Sequence, residues 1–372
     1  MFNATRLRIA RLFHGITQRE LAGRIAVSNG QMATFEGGHK EPKGDVLDAL
    51  CSVLLVKPEY FCGEADEFRE EEVNFRRRIS APEKLKRQVL ARGSLFGMAV
   101  EQLSRLGKFP AYNFPKHTVE TMEDIEVAAE KCRLHWNLTL DAPIGDMARV
   151  VENAGVVILA IDLQTAERVD AFSRFGDTSV VVLNLQKRSA SRTLWDLTHE
   201  TAHGVLHQHA RGVPLEQREA EADRFAGAFL LPRDAFASDF TACRAMDWEG
   251  LLDLKRHWRA SVQAILVRAR QLELIDAAEY RTRFRTLSGW GWRTSEPDEP
   301  TLDVPSLFNK ALERAHTDYG TTTADVARTL GWRVELFTSV TGVQPAPPRI
   351  DPNVISLTER RLVADKNKAP TS

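Results

Sequence analysis

The segment Leu194-Trp195-Asp196-Leu197-Thr198-His199-Glu200-Thr201-Ala202-His203 constrains this chain more than any other. Leu194, Leu197, Val205 and Leu206 recur at helical spacing, so the stretch predicts an amphipathic helix. On that helix His199 and His203, four residues apart, project from one face one turn apart. Two imidazoles so placed can hold one Zn2+ ion, and the fold must then bring a third ligand to them and leave a fourth position open. Glu200 follows the first histidine, where its carboxylate reaches a water without binding the metal, as in other His-Glu-x-x-His helices. The chemistry this arrangement serves is hydrolysis.

Three residues compete as third ligand. Glu219 belongs to the helical pattern Glu219-Ala220-Glu221-Ala222-Asp223-Arg224-Phe225-Ala226, which follows the breaker Arg211-Gly212-Val213-Pro214. A helix returning antiparallel presents Glu219 to the metal and Asp223, one turn on, to the outer nitrogen of a ligand histidine. Glu221 is the alternative on the same segment. His209 follows His199 by ten residues, but Leu206 stands where a chain reversal needs glycine. On a continuing helix His209 would lie about 9 Å along the axis from His203. The Glu-x-x-x-Asp spacing favours Glu219; Glu221 and His209 stay open. His207 shares the histidine face one turn further on. It is read either as a half-buried residue near the helix end or as a catalytic proton donor or oxyanion stabiliser.

Short β-branched runs at Val156–Leu159 and Val180–Leu183 predict strands. The run from Ser179 to Asn184 is a candidate edge strand that captures an extended substrate at Val181, Val182 and Asn184. A central structural strand is the alternative.

The first 66 residues read as short helices with tight turns. Thr17 is a plausible N-cap with Glu20 completing a capping box, Leu21, Ala22 and Ile25 form the inward stripe, and Ser28 caps a second helix reaching to about Glu36. Two short helices joined by a tight turn form a helix-turn-helix. Residues 67–115 are a charged helical connector, with Arg76-Arg77-Arg78, Lys84 and Lys86-Arg87 leading into an apolar-periodic stretch from Val89 to Leu106. Residues 116–297 mix helical and strand patterns. Residues 298–372 open with breakers, continue with one or two helices and end in a Pro-rich charged tail. The expected class is α+β and mostly helical: an N-terminal helix-turn-helix bundle, then a metal-binding domain with a small β-sheet.

Composition sets the outer bounds. With 50 Lys+Arg against 51 Asp+Glu, the net charge of −1 excludes a chain that is basic throughout and coats nucleic acid. No apolar run approaches the ~20 residues that span a bilayer, and Arg6, Arg8 and Arg11 interrupt the first apolar stretch as no signal peptide does. Cys51, Cys62, Cys132 and Cys243 form no Cys-x-x-Cys pair, which excludes a cysteine-based zinc site and fits a reducing cytoplasm.

Residues 6–61 resemble the XRE (Cro/phage-repressor) DNA-binding family at Thr17-Gln18, Leu21-Ala22, Val27-Ser28, Phe35-Glu36-Gly37 and Lys40-Glu41-Pro42. The resemblance implies that Asn29, Gln31 and Thr34, behind the cap Ser28, face the major groove and that Gln18 touches a phosphate. Gly30 supplies no side chain where that family often has a base-reading one, and few Lys or Arg sit on the reading helix. Residues 116–297 resemble the ImmA/IrrE metallopeptidases, which have a zincin-like fold. The matching elements are Pro143-Ile144, Asp170-Ala171-Phe172-Ser173, Val182-Leu183-Asn184, the histidine helix, Glu219–Ala226 with Phe229-Leu230-Leu231-Pro232, and Trp290-Gly291-Trp292 before Glu296-Pro297. Thr201-Ala202 and the trailing Gly204 replace the Glu-Leu-Gly common there. An XRE module, a linker and this peptidase in that order is a known fused form.

The two resemblances imply a cytoplasmic zinc endopeptidase that cleaves a DNA-bound, repressor-type protein and so controls transcription in a stress, phage or mobile-element response. DNA is then a partner through the N-terminal module, and a homodimer fits a module that reads paired half-sites. The alternatives are a transcription regulator whose peptidase-like domain senses with little hydrolysis, and a toxin-antitoxin or phage-defence component.

Overall fold

A computed structural model describes residues 1–75, 82–163, 169–187, 189–208, 212–242 and 247–344. Arg76-Arg77-Arg78, the alternative ligand His209, Cys243 and the Pro-rich tail lie outside the described residues. The N-terminal helices are α1 (Ala4–Phe13), α2 (Gln18–Arg24), α3 (Asn29–Glu36) and α4 (Asp45–Leu54). Reciprocal capping boxes start both α2, at Thr17 and Glu20, and α3, at Ser28 and Gln31. Leu7, Leu21, Met32 and Leu50 are fully buried between these helices. Arg11 pairs there with Glu36, which also accepts a 2.7 Å hydrogen bond from Gln18 Nε2.

A two-residue strand β1 (Asn74–Phe75) precedes α5 (Glu83–Ser104). This helix is far more than a tether. It buries Val89, Leu95, Phe96, Ala99 and Leu103, and its Gly93 faces two rings. A Cβ at Gly93 would come within 2.8 Å of both Phe68 and Phe172, so the helix reaches the sheet because the side chain is absent.

After α6 (Met122–His135) and α7 (Met147–Asn153) come β2 (Val157–Ile161), β3 (Ala171–Arg174) and β4 (Val180–Asn184). The sheet order is β1-β3-β4-β2, with β2 parallel to β4 and the other pairs antiparallel. Side chains alternate between two cores. Val157, Leu159, Phe172, Val180 and Val182 join α5 and the N-terminal helices in one. Ile158, Ala171, Val181 and Leu183 join the histidine helix in the other.

The order corrects one expectation. β4 lies inside the sheet, its Val182 paired with Leu159 on one side and Phe172 on the other. Val181 and Val182 are fully buried, so with both edges paired β4 offers no place for an added strand. Asn184 organises the adjoining loops instead. Its Oδ1 accepts from the Leu163 and Gln186 amides and its Nδ2 donates to the Val169 carbonyl.

The chain continues through α8 (Ala190–Ala202), α9 (Leu215–Leu230), α10 (Arg233–Ala242), α11 (Trp248–Trp258), α12 (Val262–Gln271) and α13 (Ala277–Gly289). Beyond residue 298 the sequence suggested one or two helices; the described residues hold three, α14 (Leu307–Tyr319), α15 (Thr323–Thr329) and α16 (Val334–Thr341). They return to the N-terminal core rather than trail away. Trp332 pairs with Val56 in a β-bridge, the Lys57 amide donates to Gly331 O and the Arg333 amide to Leu55 O. The described residues form an α+β, mostly helical structure with one small sheet. Among the described residues no helix is long and apolar enough to cross a membrane.

Candidate metal centre

Helix α8 starts at Ser189, whose hydroxyl accepts from the Arg192 amide, and buries Leu194, Leu197 and Ala202. Thr198 and Thr201 are also buried, their hydroxyls satisfied by the carbonyls one turn back, at Leu194 and Leu197. The helix then widens into a π-helical turn, His203–His207, of a kind that often marks functional sites. Gly204 lies in this turn against Phe114 and Phe175, whose rings a Cβ would approach to 2.8 and 2.9 Å.

Helix α9 packs on α8 and brings Glu219 between the two histidines. His199, His203 and Glu219 each offer one ligand atom, all within 4.8 Å of one another. Glu219 Oε2 is 3.4 Å from His199 Nε2, and Glu219 Oε1 is 3.4 Å from His203 Nε2. Zinc bonds of about 2.0–2.1 Å in tetrahedral geometry give ligand separations of about 3.3–3.4 Å, so the spacing fits that ion. His203 Nε2 and Glu219 Oε1 are buried and make no hydrogen bond, as metal-facing atoms must. Two imidazoles and a carboxylate are also a donor set zinc accepts.

Each ligand histidine is held from behind. Asp223 Oδ1 meets His199 Nδ1 at 2.9 Å and also accepts from Trp195 Nε1 at 3.4 Å. His203 Nδ1 meets His207 Nδ1 at 2.8 Å, and His207 Nε2 meets Glu221 Oε2 at 2.9 Å. Glu221 Oε1 takes a 2.8 Å hydrogen bond from Gln217. If His203 turns Nε2 to the ligand cluster, its Nδ1 carries the proton and donates to His207. His207 is then protonated on Nε2 and donates to Glu221, which fixes every proton in the series.

This arrangement corrects the reading of His207 as a catalytic proton donor or oxyanion stabiliser. Both of its nitrogens are committed, one to a ligand histidine and one to a carboxylate, and it is buried behind His203. Glu221 stands on His207 and outside the three-ligand cluster.

Burial pushes His203 down to about 4, with Glu219 opposing the shift and His199 adding to it. Burial and the neighbouring His203 likewise lower His207, against Glu221. Burial alone would raise the Glu219 carboxyl, but His199 and His203 outweigh it and hold the group well below the usual carboxylate range. At neutral pH His203 and His207 are therefore neutral and the Glu219 carboxylate charged, the forms that suit a metal site.

Glu200 is fully buried, and its Oε2 accepts from Ser173 Oγ on β3 at 2.5 Å. Ser173, Gln217 and the His203–His207 link escaped the sequence reading. The available signal for Ser173 was a polar residue at an inward-facing position of a strand.

The residues singled out for DNA lie together on α2 and α3. Ser28, Asn29 and Gln31 are exposed and Thr34 is half-buried. Gln31 is engaged in the cap of its own helix, Thr34 Oγ1 donates to the Gln31 carbonyl, and Gln18 donates to Glu36. Helix α3 carries no Lys or Arg.

Residues 151–270 match the family model of peptidase M78, an IrrE N-terminal-like domain. The match supports the metallopeptidase part of the sequence reading and spans β2 to α12, the metal cluster included. No curated protein and no solved structure matches the chain.

Proposed function

We propose that the chain is a zinc-dependent endopeptidase whose N-terminal helices bring it to a repressor-type protein on DNA. The observation that carries the enzymatic reading is the convergence of His199 and His203, from α8 and the turn that follows it, with Glu219 of α9, next to Glu200 of α8. His199, His203 and Glu219 would hold the zinc. The ion supplies Lewis acidity, which polarises a peptide carbonyl and activates water near neutral pH. Glu200 takes the proton from the attacking water and delivers it to the leaving amide nitrogen. Ser173 fixes one oxygen of that carboxylate, so the base meets its substrate already oriented. Asp223 and the His207–Glu221 pair hold the two imidazoles in register.

Two features support a DNA-directed role for α2 and α3: a capped pair of short helices joined by a tight turn, and the exposed start of the second helix, at Asn29 and Gln31. With no basic residue on α3, affinity for DNA would be modest and steeply salt-dependent. The helix-turn-helix reading carries with it a homodimer and a cytoplasmic setting.

The test is incubation of the zinc-loaded protein with any repressor-type helix-turn-helix protein encoded next to its gene, on and off that protein's operator. The expected result is a discrete cut that Glu200→Gln slows by ~10²–10⁴-fold while zinc is retained. Absence of cleavage under every DNA and stress condition would contradict the reading, and cleavage undiminished by Glu200→Gln would contradict the role of the base.

A further inference from the structure

Peptidases that act on extended chains commonly receive them at a sheet edge, where main-chain hydrogen bonds hold the substrate in register. The sheet has two edges. That of β2 lies on the far side of β4 from β3, the strand whose Ser173 meets Glu200. The outer edge of β3 is the one that matters, because Ser173 on it donates to Glu200. That edge is already taken by the chain's own β1, with Asn74 opposite Ser173 and Phe75 opposite Phe172 in antiparallel register.

We propose that β1 sits in the substrate's place, and that an extended polypeptide binds by pairing with β3 after β1 has left. The inference rests on the peptidase reading above and adds to it where the substrate docks and what keeps the site closed. One residue joins the two halves of the argument, since Ser173 is both the pairing partner of Asn74 and the hydrogen-bond donor to the catalytic carboxylate.

The approach to β1 is fastened. Asp66 pairs with Arg174 of β3, whose guanidinium lies 3.8 Å from the centre of the Phe68 ring. Phe68 is buried, its amide donates to Ser94 Oγ of α5, and Val73 is buried next to the strand. Glu67 pairs with Arg8 of α1, so the hold on the strand is tied to the seating of the N-terminal helices. Against these anchors the pairing itself is short. A two-residue strand is too small to be stable alone, so a longer peptide strand can replace it. A change in the N-terminal helices that loosens Glu67 would open the edge without touching the metal cluster.

The test separates this proposal from the peptidase reading by measuring binding as well as turnover. Asp66→Lys turns the anchor against Arg174 into a repulsion, and Val73→Asp drives the strand's flank out of its pocket. Neither residue belongs to the catalytic or metal-binding set, and Asp66 is exposed, so that variant leaves the core intact. Each is combined with Glu200→Gln, loaded with zinc, and titrated against fluorescein-labelled β-casein, an unstructured protein. The expected result is binding tighter by about tenfold than for Glu200→Gln alone, together with faster amide hydrogen exchange at residues 73–75. With Glu200 intact, the same anchors' removal raises casein hydrolysis by a similar factor. Unchanged binding, or no binding in any variant, overturns the proposal. Binding that tightens without any hydrolysis upholds it and counts against the peptidase reading alone.

Discussion

His203 reaches the metal cluster with one ring nitrogen and a buried neighbour with the other, and the second contact decides how well the first is aimed. Replacing His207 by alanine leaves Nδ1 of His203 without its acceptor and Glu221 with Gln217 in place of its histidine donor. Zinc affinity, read by competition with a chromophoric chelator, should fall by ~10- to 100-fold, with Glu221→Gln giving a smaller loss. Equal affinity in all three proteins would mean the pair only fills space. Much of the candidate site was legible in the sequence for a simple reason. Helical spacing alone puts His199, Glu200 and His203 together, and a returning helix favours Glu219 with Asp223 behind it, although Glu221 and His209 stayed open as alternatives to Glu219. The partners of His207 were not legible, because they depend on a π-helical turn and on which face of α9 Glu221 occupies. Ser173 was hidden for the same reason, since a strand sequence names its inward residues but not what they meet.

At the scale of elements, the domain that carries the His199–His203–Glu219 cluster is tied together by a buried ion cluster. Glu126 on α6 accepts two hydrogen bonds, of 2.6 and 2.7 Å, from the fully buried Arg268 on α12, and pairs at 2.5 Å with Arg224 on α9. Burial would raise the Glu126 carboxyl, but Arg268 and then Arg224 outweigh it, so the net shift is downward. A folded pKa below the unfolded one contributes stability above the ordinary carboxylate range, and the contribution fades as pH falls through the folded value. Glu126→Gln, which strands Arg268, should cost about 3–5 kcal/mol at pH 7. The gap between the urea midpoints of wild type and variant should narrow in acid; a gap that stays constant would contradict the assignment. The elements themselves followed from local pattern, yet their neighbours did not. Its β-branched run made β4 a strand, but only the pairing to both β2 and β3 put it inside the sheet and away from any substrate.

At the scale of the whole chain, the first and last described segments complete one another. Trp332, Leu336, Phe337 and Val340 are buried in the same core as α1, α4 and α5. Removing the chain from residue 306 onward uncovers Val56, which bridges to Trp332, and Phe96, whose ring centre lies 5.1 Å from that of Phe308. It should lower the melting temperature by about 10 °C or more, since several large side chains at ~2 kcal/mol each lose their cover. Limited proteolysis should then open the N-terminal helices before the metal domain; unchanged melting would show that α14, α15 and α16 merely decorate the surface. The sequence pattern marks these helices as amphipathic but cannot say which apolar face they cover, because that face is assembled from residues some 250 positions earlier.

Glu219 is the residue proposed to complete the metal site on α9. Zinc retained per chain after dialysis against a weak chelator, measured by elemental analysis for wild type, Glu219→Ala and Glu221→Ala, addresses it directly. The prediction is one equivalent for wild type, nearly none for Glu219→Ala and most of an equivalent for Glu221→Ala. Full retention by Glu219→Ala, or loss confined to Glu221→Ala, would contradict it.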